Sequence, residues 1–239
     1  MMLPVLEGTI ARRVLLNFRA APAVVRKLVP ETLEVVTRNG AAIVGVCLIR
    51  LERLRPKGGP ALFAMASENM AHRVAIRHAK GEGVFIWRRE TDKTVMALLG
   101  GRLFPGVHRA ADFEAIESER FLVFDVRTEQ GAADVTVCAE PVREWSPTPA
   151  FGTFAEVSEF FRQGDCGFSC SLDGDRLEGM QLRTLKWQMN PLKVVKVRAA
   201  FFERFPPGSV EFDSALMMRG LPHEWHVLRE VPELAGGHI

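Results

Sequence analysis

The sequence predicts an α+β protein built on an antiparallel curled sheet or β-barrel, with two or three peripheral helices. Two observations carry this expectation. Short β-rich runs recur along the chain, separated by turns rich in glycine, proline and asparagine. Helical periodicity with start and stop signals occurs at only three places. The composition, with 47% hydrophobic and 25% charged residues over 239 positions, supplies an ample core for one such unit. No internal repeat or clear linker divides the chain, so residues 1–239 are expected to form a single domain.

In chain order, residues 8–19 read as a first strand. Pro22 opens a short helix over 22–28, since proline is tolerated in a first helical turn. Residues 33–37 and 42–51 are β-rich and are joined through Asn39-Gly40, a strong hairpin signal. Residues 62–78 pair with 84–89 through the turn at 80–83, extending an antiparallel meander. Asp92 caps a helix whose apolar residues Val95, Leu98, Leu99 and Leu103 recur at helical spacing, until Pro105-Gly106 stops it. Three extended segments follow, at 107–116, 120–128 and 134–140. A proline-rich bend over 141–149 leads to Thr153-Phe-Ala-Glu156, a capping box opening a helix to about Arg162. Segments 168–172 and 177–187 fold about Asp173-Gly174-Asp175, and 192–202 and 210–218 close the sheet.

Charge and cysteine usage narrow the function classes. A net charge of +2 gives no electrostatic case for nucleic acid or an anionic membrane. No run approaches a membrane span, and the N-terminus lacks a signal-peptide core. Cys47, Cys138, Cys166 and Cys170 lack the spacing of a zinc knuckle or a redox pair, so a reduced, cytoplasmic protein is expected. His223-Glu224-Trp225-His226 has one residue between glutamate and the second histidine where a zincin needs two, so no metal is expected there. Phosphate loops and serine-nucleophile elbows are absent, and no cofactor is called for. The edges of an antiparallel sheet leave homo-oligomerisation open.

Several residues are candidates for chemistry. Glu68 sits in an apolar stretch, where a carboxylate must be paired, exposed or neutralised, and it is a candidate acid or base. On a regular strand His72 shares its face, while Arg73 faces the other way, toward solvent. His108 emerges from an apolar unit beside cationic Arg109 and should favour the neutral form, suited to proton transfer. Arg102, Arg109 and the early Arg12–Arg13 pair are candidate carboxylate ligands, because a guanidinium presents a planar fork of donors. Lys193 can point either way from its strand.

These residues also carry a resemblance. Residues 21–34, APAVVRKLVPETLE, resemble the short helix and turn of acetoacetate decarboxylase-like proteins. Ser67-Glu68-Asn69 resembles the segment that brings a glutamate into that family's cavity. GRLFPGVHR over 101–109 resembles the helix end leading into its active site, and Pro222-His223-Glu224-Trp225 is similar to a signature of one bacterial branch. The resemblance implies a cone-like β-barrel around an internal cavity that takes a small-molecule ligand. It also exposes a departure: the family's Schiff-base lysine pair falls at Arg109 and Ala110. Arginine, with a pKa above 12, is uncharged in only about one molecule in a million at neutral pH and forms no imine. A small-molecule-binding barrel is therefore expected rather than a Schiff-base decarboxylase. The alternative is lyase or hydratase-type chemistry on a small carboxylate or β-dicarbonyl compound.

Overall fold

One long strand pairing governs the architecture. In the computed structural model, which describes residues 4–93, 105–128 and 133–234, strand β1 (Leu6–Ala20) runs antiparallel between β4 (Ala41–Pro56) and β13 (Val210–Val227) over nearly its whole length. Strand β5 (Met65–His78) continues the sheet beyond β4, and β6 (Gly81–Thr91) follows β5. Short strands β2 (Glu34–Val35) and β3 (Thr37–Arg38) pair with β5 and β4.

The sheet forks at each end of this five-stranded block. The second half of β6 pairs with β7 (His108–Glu117), and its first half with β10 (Cys166–Cys170). At the other end, β13 pairs through 215–217 with β12 (Asn190–Ala199) and through 223–227 with β11 (Leu177–Thr184). Strands β8 (Leu122–Thr128) and β9 (Ala133–Pro141) join β7 to β12, while β10 and β11 pair directly. Two rings result, one closed through β7, β8, β9 and β12, the other through β10 and β11. Both use β13, β1, β4, β5 and β6 as a common wall.

The wall explains its own sequence. A sheet covered on both faces needs apolar residues at every position rather than at alternate ones. Residues 42–49 of β4, AIVGVCLI, are continuously buried, as are 14–18 of β1. Successive side chains enter opposite rings. Val14, Leu16, Val46, Leu48 and Met70 join Phe124, Val135 and Val137 in the first core. Leu15, Ile43, Cys47, Ile49 and Leu216 join Val157, Phe160 and Phe161 in the second. Those last three belong to helix α2 (Phe154–Gln163), which carries the expected capping box, with Thr153 Oγ1 accepting from the Glu156 amide at 3.2 Å. Helix α1 (Pro22–Arg26) and the 3-10 turn Ala200–Arg204 cover the first ring.

Two expectations change here. The sheet is not wholly antiparallel, since β6 pairs in parallel with both β7 and β10. Residues 92–107, between β6 and β7, are long enough for the crossover that a parallel pair demands. The helix expected over 92–103, with Arg102, lies almost wholly outside the described residues. Among the described residues no helix is long and apolar enough to cross a membrane.

Candidate functional site

The second ring encloses a cavity of about 140 Å³ between the wall, the end of α2, and β10–β11. Its apolar lining includes Ile49, Leu51, Ile86, Leu182 and Trp225. Into it project three arginines from three wall strands: Arg13 of β1, Arg73 of β5 and Arg89 of β6. Arg73 is only 2% exposed; its Nη2 donates to Asn17 Oδ1 at 2.9 Å, and its carbon Cζ lies 4.8 Å from the Phe161 ring centroid. Its Nε and Nη1 have no hydrogen-bond partner among the described residues. Arg89 donates from Nη2 to Ser169 Oγ at 2.7 Å. Gly106 keeps that contact open, because a Cβ there would lie 2.9 Å from Ser169 Oγ and 3.0 Å from Arg89 Nε. Arg13 reaches only sulfur, with Nε 3.4 Å from Cys47 Sγ.

None of the three has a carboxylate within ion-pair distance among the described residues. Two acidic residues also line the cavity, but the Asp165 carboxylate accepts from Gln181 Nε2 at 2.9 Å and from Cys166 Sγ at 3.3 Å, and Glu90 is paired with Arg88. Burial pulls both Arg73 and Arg89 down to about 10, still far above neutrality. The cavity is thus an apolar chamber with an excess of fixed positive charge.

His108, the first residue of β7, completes the lining. Burial, reinforced by the charge of Arg89, pulls its pKa down to about 4, so the ring is neutral at pH 7. The Gly106 carbonyl, 3.1 Å from Nδ1, can only accept, which puts the ring proton on Nδ1 and the lone pair on Nε2. The neutral state matches the sequence expectation, but its causes are burial and Arg89 rather than Arg109. None of the chain's seven lysines lines the cavity, so no amine is available there for an imine.

The remaining sequence candidates lie elsewhere. Glu68, Arg12 and His72 face the first ring, across the wall. Arg12, 1% exposed, holds Glu68 Oε2 at 2.6 Å and Glu117 Oε1 at 2.5 Å and lies 4.3 Å from the Phe124 ring centroid. Glu68 is held again by Arg50 Nη1 at 3.2 Å. Arg109 is exposed and borders an outer groove with Trp87 and Arg204. Lys193 is exposed as well, away from the cavity. Arg73, expected toward solvent, is buried because the far side of β5 is a second interior. Sequence reasoning missed Arg73 and Arg89 and named Arg13 only within the Arg12–Arg13 pair, although each is the second member of a basic doublet in an apolar strand: Arg12-Arg13, His72-Arg73 and Arg88-Arg89.

Comparison with known proteins agrees with this architecture. Residues 8–208 match the DUF2071 family, described as an uncharacterized conserved protein. No curated protein matches the chain. Among solved structures, acetoacetate decarboxylase from Legionella pneumophila is similar with a TM-score of 0.62 at 14% identity, covering 94% of this chain and 87% of its own. An acetoacetate decarboxylase-like enzyme from Sphingomonas wittichii RW1 reaches 0.63 at 12% identity, covering 95% and 92%. The enduracididine biosynthesis enzyme MppR, in a structure with pyruvate, reaches 0.60 at 10% identity, covering 95% and 91%. At these identities the likeness is one of fold.

Proposed function

The chain belongs to the DUF2071 family, which the match spans for most of its length, and on that premise we propose that it binds a small carboxylate inside the second ring, acting as the cone-like barrel implied by the resemblance. The observation that carries this reading is the trio Arg13, Arg73 and Arg89, aimed into one apolar cavity without carboxylate partners. Burying a cation without a counter-ion costs several kcal/mol, and a bound anion removes that cost. The volume sets the size: about 140 Å³ is close to a cavity that takes benzene, so the ligand has only a handful of heavy atoms. Pyruvate, present in the MppR structure, is an acid of that size.

A second reading, lyase or hydratase-type chemistry, is favoured by His108. A neutral imidazole beside a bound keto acid can take a proton from the carbon next to the carbonyl, or from water. The absence of a cavity lysine argues against imine formation in either case.

The test is calorimetry with pyruvate and related short acids on wild type and Arg73→Met. The variant is expected to lose binding by at least about tenfold, while the empty protein becomes more stable by about 1–3 kcal/mol through loss of an uncompensated buried charge. Equal affinity in the variant would remove Arg73 from the site. Proton NMR of the bound acid in deuterium oxide then distinguishes a binder, with no exchange at carbon, from an enzyme.

A further inference from the structure

The first ring holds a second polar cluster that the anion site leaves unused. His72 of β5, Glu90 of β6 and Asp134 of β9 meet where these strands converge, with one donor atom from each lying within 4.8 Å of the others. His72 and Glu90 are fully buried and Asp134 is 5% exposed. Among the described residues neither ring nitrogen of His72 has a hydrogen-bond partner, and both carboxylate oxygens of Glu90 are likewise without an aligned donor. Buried polar groups are nearly always satisfied, so a fully enclosed imidazole with two idle nitrogens calls for an explanation.

Arg88 is the obvious counter-ion, and its position is informative. Its Nε lies against Glu90 Oε1 and its Nη2 is 2.9 Å from Asp134 Oδ2, yet Nε, Glu90 Oε1 and Asp134 Oδ2 all lack aligned hydrogen bonds. The guanidinium supplies charge without the parallel two-point geometry that makes such pairs strong. It leaves two carboxylates facing one positive charge, and it offers nothing to His72, whose Nδ1 is 3.8 Å from Glu90 Oε2. Arg88 also borders the outer groove of about 770 Å³ that runs past Trp87 and Phe201, so its side chain has somewhere to go.

We propose that His72, Glu90 and Asp134 form a binding site for a zinc-class divalent cation, with Arg88 as the resident counter-ion that swings into the outer groove when the metal enters. One imidazole nitrogen and two carboxylate oxygens are the donor set that such ions accept, leaving a fourth tetrahedral position for water. The cation would tie β5, β6 and β9 together across the first ring, between the wall and its far side. The proposal does not use the arginines of the anion site, which project into the second ring on the other face of the wall, although Glu90 also borders that cavity.

Calorimetric titration of chelator-treated protein with zinc chloride, and with cobalt(II) as a visible probe, tests it. Wild type is expected to bind one equivalent, and the cobalt form to show the strong visible absorption of a tetrahedral site. His72→Ala should weaken binding by about 100-fold or more, whereas Arg88→Met should tighten it by about tenfold, since the competing charge is gone. Tightening cannot arise from misfolding, so this second variant keeps the test sound if His72→Ala folds poorly. No uptake by wild type at about 1 mM zinc would overturn the proposal. So would unchanged affinity in His72→Ala, which would put the ion elsewhere, for example at the half-buried Glu224–His226 pair.

Discussion

Arg12-Arg13, His72-Arg73 and Arg88-Arg89 each send their two side chains into different rings. Arg12 enters a network of paired charges, while Arg13 enters a chamber with none, although the two are neighbours in sequence. Environment, not residue type, decides the role. The same logic governs His108 and His223, both pulled down to about 4 by burial first and by a nearby arginine second. The sign follows from proton linkage. Between pH of about 6.5 and about 4 the unfolded chain binds protons that the folded one refuses, so stability rises with pH across that window and falls on acidification. Melting temperature measured from pH 7 to 4 should decline, and less steeply in His108→Gln, which takes up no proton. An identical slope in that variant would mean that His108 is not held neutral by the fold.

At the scale of elements, the wall demands that β1 and β4 approach closely with both faces packed. Gly45 permits it: a Cβ there would sit 2.4 Å from the Leu16 carbonyl oxygen, backbone that cannot move aside cheaply. Gly45→Ala should therefore destabilise by about 1–3 kcal/mol, read from denaturant midpoints; a neutral substitution would show that the two strands can separate there. Much of this level was legible in the sequence. The Asn39-Gly40 turn, the capping box at Thr153 and most strand positions follow from local chemistry. The fork was not legible, because nothing local to β6 or β13 states that each strand takes two partners along one edge. The continuous apolar run 42–49, with the shorter Val14-Leu15-Leu16 beside it, was the available sign of strands with two interiors. An alternating pattern was expected instead, and Arg73 was accordingly placed outside.

For the whole molecule, that miss displaced the candidate site. Glu68 and His72 share one face, where Arg12 of the neighbouring strand joins them, but the chamber with unpaired charge lies on the other. His108 and Arg13 are the sequence candidates among the described residues that line it. Pairing between distant segments decides which face encloses space, and it is the part of a fold least written in any single stretch of chain.

A strand enclosed on both sides is also shut away from solvent deuterium. The amides of β1 and β4 are hydrogen-bonded to wall neighbours, and the chain on either side of them is packed. Fraying at an edge cannot open them one at a time, so their exchange should require the global unfolding event. Mass spectrometry should find peptides covering 12–18 and 42–49 as the last to take up label, at a common rate set by overall stability, while 166–170 and 190–199 exchange sooner. The wall would then be the slowest clock in the molecule, and each ring would open and close against it.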